Sequence, residues 1–105
     1  MMETITVNGQ IYYSEKPEIK GDLKIVVLQR GWVLIGTFEQ EEDKCKLHNA
    51  SVIRVWGTSQ GLGQLANEGP TEKTILDKCH GLIEFNDLTM VLSISAEQSK
   101  WQNKL

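Results

Sequence analysis

Arg54 and Trp56 stand two residues apart in the run Ser51-Val52-Ile53-Arg54-Val55-Trp56, which empties into the turn Gly57-Thr58-Ser59-Gln60-Gly61-Leu62-Gly63. On a regular strand, side chains two apart share a face, so a guanidinium and an indole would open together while Val55 points away. A guanidinium grips phosphate bidentately, an indole stacks on a flat ring, and free amides at the turn and the start of the next helix add neutral donors. These residue types in this order suit a nucleotide-like ligand. The expected ligand set is Arg54, Trp56, Gly57, Thr58, Ser59, Gln60 and Gly61. Lys73 and Thr74 would close the far side, and Arg30 and Trp32 would join them if subunits pack around a shared cleft. Each feature has a plainer alternative. Arg54 would serve equally as a surface or inter-subunit ion pair with one of the 14 acidic residues, Trp56 as core, and the glycine turn as a helix cap.

Other chemistry finds less support. The glycine turn lacks both the Lys-Ser/Thr ending of a phosphate-cradling loop and the dinucleotide fingerprint. Cys45 with His48, and Cys79 with His80, would make a tetrahedral zinc set only if the chain kinked at the second pair, because adjacent strand residues face opposite sides. Ser51, Ser59, His48 and His80 have no nucleophile-elbow or paired-carboxylate setting for hydrolysis. The acidic stretch Glu39-Gln40-Glu41-Glu42-Asp43-Lys44 reads as a solvated hairpin tip. The expectation is a protein that is not an enzyme and holds neither metal nor cofactor.

The elements that must position these residues are short. A chain of 105 residues with 40% hydrophobic and 24% charged side chains fits a single folded domain. A net charge of −3 offers no general attraction to a polyanion, so nucleic acid is an unlikely partner and any anion site must be local. Apolar runs such as Ile25 to Leu28 fall far short of a bilayer span. The acidic start Met1-Met2-Glu3-Thr4 does not read as a secretory signal. A cytoplasmic location with Cys45 and Cys79 reduced is expected.

Residues 1–22 read as a hairpin around Asn8-Gly9 followed by a connector holding Pro17. Strands are expected at Leu23 to Gln29, Trp32 to Phe38, Cys45 to His48 and Ser51 to Trp56, with Gly36 marking a bend and Asn49-Ala50 a junction. A helix at about 59–68 follows, capped by Thr58 or Ser59, facing inward through Leu62, Leu65 and Ala66, and stopped by Gly69-Pro70. Strands return at Thr74 to Cys79, Leu82 to Phe85 and Thr89 to Ile94. Residues 96–105 form a polar arm whose Trp101 would dock on the body or on a neighbouring subunit. The pattern predicts a mainly β fold: a small bent antiparallel barrel of SH3/Sm-like type with one helical insertion.

Val27-Leu28, Gly31, Gly36, Phe38, Leu47 and Asn49-Ala50 resemble the first motif of Sm-like proteins, which implies a bent barrel able to assemble into rings. Glu41 to Cys45 replaces that family's RNA-reading loop, and the Trp56-Gly57 segment replaces its second motif. A more specific pattern joins Asn49-Ala50, Ile53-Arg54-Val55-Trp56, Leu62, Leu65-Ala66 and Gly69. It resembles a family of short phage-encoded proteins of unassigned function, which implies a virus-borne accessory protein. The leading expectation is an anti-defence protein that self-associates and sequesters a nucleotide-derived signal, such as a cyclic nucleotide or ADP-ribose derivative, in the host cytoplasm without cleaving it. The alternative is a protein-binding accessory module that inhibits a host factor. An Sm-like RNA-binding ring is the third reading.

Overall fold

The computed structural model describes residues 21–105, so the hairpin expected around Asn8-Gly9 and most of the connector after it lie outside the described residues. The first strand, β1 (Asp22–Leu28), alternates its side chains between two faces and buries both, with Leu23 and Ile25 on one side and Val26 on the other. A one-turn 3-10 segment, Gln29–Gly31, reverses the chain into β2 (Trp32–Glu41). Glu42 and Asp43 then turn it into β3 (Lys44–Val55). The polar tip is thus narrower than expected, because Glu39 to Glu41 pair with Lys44 to Lys46 across the hairpin.

β3 is one long strand, where the sequence leads one to expect two. Asn49-Ala50 is a β-bulge inside it: Ile35 opposes Ser51 and Thr37 opposes His48, so Gly36 faces one residue too many. Asn49 takes a positive φ of 55° there. Gly36 suits the close approach, since a Cβ would lie 3.2 Å from the Cα and Cβ of Ala50 and the neighbour would have to give by a few tenths of an ångström. The extra residue also shifts the alternation, so that Leu47 and Ala50 pack on the same side of the sheet.

Helix α1 (Leu62–Glu68) follows, then β4 (Ile75–Lys78), β5 (Ile83–Asn86), a 3-10 turn at Asp87–Thr89, β6 (Met90–Ser95) and α2 (Gln98–Trp101). The six strands form one antiparallel sheet in the order β4-β3-β2-β1-β6. β5 also lies along β3: its partners are Lys44 to Leu47, whereas those of β4 are Ser51 to Val55. Among the described residues no ladder joins the β4/β5 edge to β6, so the pairing stops short of the closed barrel expected from the sequence.

Both faces of the sheet are covered. On one, Leu23, Ile25, Ile35 and Ile53 pack under Leu65 and Ala66 of α1 and under Trp101 of α2. On the other, Val26, Leu34, Phe38, Cys45, Leu47 and Ala50 meet Ile83 and Phe85 of β5 and Met90 of β6. Trp101 is only 2% exposed and its indole N–H donates to the Ala66 carbonyl at 3.2 Å. Of the two docking places expected for the arm, it uses the body. No helix among the described residues is long and apolar enough to cross a membrane.

Candidate functional site

The end of β3 and the two loops flanking α1 meet at one corner, and hydroxyl groups tie them together. Thr74 donates to the Trp56 carbonyl at 2.7 Å, and Thr71 donates to the Gly57 carbonyl at 2.7 Å. Thr71 and Thr74 also fix each other, since the Thr71 amide donates to Thr74 Oγ1 at 2.8 Å and the Thr74 amide to the Thr71 carbonyl at 3.1 Å. Gly57 makes the closeness workable: its φ is +72°, and a Cβ there would sit 2.5 Å from the Lys73 carbonyl carbon and the Thr74 nitrogen. The backbone on either side of the Trp56–Gly57 peptide is thus pinned from across the loop.

The helix start is capped differently from the expectation. Gly61 is the N-cap and no side chain caps it; Thr58 instead donates to the Gly61 carbonyl at 2.8 Å. The Gln60 amide is taken by Gln64 Oε1 at 2.7 Å. Thr58 and Ser59 therefore shape the turn without satisfying the helix amides, and at least one amide counted as a free donor is already spent.

Arg54 makes the plainer of its two expected contacts. Its Nε donates to Asp77 Oδ2 at 2.8 Å and its Nη2 to Asp77 Oδ1 at 3.1 Å, a bidentate fork across β3 and β4. The hydrogen bonds from Arg54 hold the Asp77 carboxyl below the usual range, against partial desolvation and together with the guanidinium charge. The same bonds raise the Arg54 pKa further, so it is charged at every ordinary pH. The β3–β4 register shifts between Ile53 and Val55, and β3 ends at Val55. The alternation that would place Arg54 and Trp56 on one face is therefore interrupted between them.

A recess of about 500 Å³ opens beside Gly57, Thr58, Ser59, Thr71 and Lys73. Four of the residues singled out in the sequence, Gly57, Thr58, Ser59 and Lys73, are brought together there. Arg54 and Trp56 do not line it, nor do Gln60, Gly61 and Thr74. Arg30, at φ 72° in the 3-10 turn, and Trp32, at the start of β2, belong to the β1–β2 connection. Lys73 forms no ion pair among the described residues. Glu72 beside it on the rim offsets its charge.

Trp56 is 42% exposed, and Val55 before it is exposed as well, together with its ladder partner Ile75. Three side chains that matter here escaped the sequence reading. Asp77 and Thr71 become visible only once the β3–β4 register is known, and Ile75 shows itself as surface only once β4 is seen to be an edge strand. Cys45 and Cys79 are free thiols, and no group of three or more His, Cys, Asp or Glu side chains is placed to hold a metal among the described residues. Comparison with protein families, with curated proteins and with solved structures gave no match.

Proposed function

We propose that the chain is a non-catalytic binding module that docks on another protein through the Trp56 corner. The observation that carries this reading is a large indole left in solvent on a backbone that four threonine hydrogen bonds hold rigid. Burying an indole on a partner releases much apolar surface, and a pinned backbone means little freedom is lost in doing so. Exposed Val55 and Ile75, paired across β3 and β4, add apolar surface close by in the chain, and the exposed Arg54–Asp77 fork on the same two strands adds polar groups of the kind found at an interface rim. The resemblance to short phage-encoded proteins supports a host defence component as the partner. Exposed Trp32, Leu88, Val91 and Leu92 support self-association as well. The inner cluster that draws on β5 and β6 supports reading the bent sheet as a partly open barrel.

Sequestration of a nucleotide-derived signal is the second reading, favoured by the recess beside Gly57 and by Lys73, which forms no ion pair among the described residues. Arg54 has donors to spare beyond the two it gives to Asp77, but its charge is already balanced there. That balance ranks the phosphate reading second. Titration with cyclic dinucleotides and ADP-ribose, run beside affinity capture from host lysate, separates the two. A stoichiometric protein retained by the wild type and lost with Trp56→Ala supports protein docking. Heat of binding from a nucleotide, abolished by Lys73→Ala, supports sequestration in its place.

A further inference from the structure

A second recess, of about 400 Å³, lies between the carboxyl-terminal turn and the bulged bend of the sheet. Its polar lining comes from Thr37, Asn49, Gln98, Gln102 and Asn103, with Ser99 beside them, over a floor of Leu23 and Leu105. Among the described residues no ionisable side chain lines it, so recognition there falls chiefly to neutral donors and acceptors. The volume falls within the range of small-molecule sites.

The carboxamides are placed by the fold, and of their side-chain groups only the Asn49 oxygen is spent among the described residues. Asn49 is the bulge residue with positive φ, and such bulges re-aim side chains. Lys78 Nζ donates to Asn49 Oδ1, which fixes the amide and leaves its two N–H donors without a partner among the described residues. Gln98, Gln102 and Asn103, on and after α2, make no side-chain hydrogen bond among the described residues. Trp101 forms a wall but offers no open ring face, because it is buried and its N–H is spent on Ala66. Recognition there must come from hydrogen bonds and not from stacking.

We propose that this recess binds a neutral polyhydroxylated ligand of the saccharide class. A carboxamide sets an acceptor beside two donors, which matches neighbouring hydroxyls that each donate and accept. Among the described residues the cation placed beside it, Lys78, is engaged by the Asn49 carboxamide oxygen, and a nucleobase would find no platform. The site is independent of the Trp56 corner and of what docks there.

Side-chain amide NMR of the full chain, titrated with D-glucose, N-acetylglucosamine, D-ribose and adenosine monophosphate, tests this. At least one saccharide should shift the Asn49, Gln98 and Gln102 amide signals in a saturable way, and raising salt from about 0.05 M to about 0.5 M should leave the affinity unchanged. The double variant Gln98→Ala/Gln102→Ala, exposed in both positions and so expected to fold, should weaken binding by about tenfold. Gln98→Glu should weaken it too, with the backbone spectrum unaltered. Saccharides that shift nothing, a double variant that binds as the wild type does, or binding of the monophosphate alone with steep salt dependence would each overturn the proposal.

Discussion

Arg54 and Asp77 form an exposed fork, and an exposed ion pair adds little to stability, so its signature should be sought in pH dependence. The folded-state pKa of Asp77 lies below its unfolded value. The stabilisation is therefore present above the unfolded value and is lost as pH falls through the lower, folded one. In thermal melts Asp77→Asn should be slightly less stable than the wild type above about pH 4 and converge with it at lower pH, which flattens part of the acid limb. An unchanged acid limb would show that the fork does not persist in solution. Cys45 behaves in the opposite sense: burial chiefly, with Asp87 and Asp43 nearby, pushes its thiol pKa up. Its contribution is full below the unfolded value and declines as pH rises through the folded one. Iodoacetamide at mild alkaline pH should modify half-buried Cys79 well before Cys45, giving one adduct on the native chain and two after denaturation. Equal rates would contradict the buried position of Cys45. Both alternatives for Arg54 were legible in the sequence, but the choice between them was not. It rests on Asp77, which is distant in the chain and reaches Arg54 only through strand register.

Elements were easier to read than their junctions. The strands around Ile25, Leu34 and Ile94 announce themselves by β-branched and leucine-rich runs, and Leu62, Leu65 and Ala66 mark the inward side of α1. Asn49-Ala50 carried a turn signal, and tertiary pairing overrode it: β2 is long enough to keep the ladder going, so the chain absorbs one residue as a bulge instead of stopping. The helix cap was misplaced because Thr58 spends its hydroxyl on the Gly61 carbonyl, leaving a glycine at the cap. The loop pair around Trp56 is the junction on which the proposed function depends. Gly57→Ala forces a side chain into a left-handed residue and into backbone 2.5 Å away. The cost should be about 2 kcal/mol, or roughly 10 °C in melting temperature. Thr74→Val should cost about 1 kcal/mol for the hydrogen bond to the Trp56 carbonyl and should loosen binding at the corner as well. Hydrogen exchange and melting curves would check both, and a Gly57→Ala chain as stable as the wild type would mean that the loops are not pinned.

At the scale of the molecule, one sheet is covered on both sides, by two short helices on one face and by its own outer strands on the other. The mainly β character, the single inserted helix and the docked carboxyl-terminal tryptophan follow from patterning that a sequence displays openly. The end of the pairing at β6 does not, since it depends on curvature that no local motif encodes. Among the large apolar side chains left outside, Trp56 is distinguished by a backbone that threonine hydrogen bonds hold from across the loop. The most direct measurement is a side-by-side affinity capture from host lysate with wild-type chain and with Trp56→Ala, each first shown to melt at a similar temperature. Docking through this corner predicts a protein partner retained in stoichiometric amount by the wild type and weakened by at least about tenfold in the variant. The same partner retained equally by both chains would contradict it.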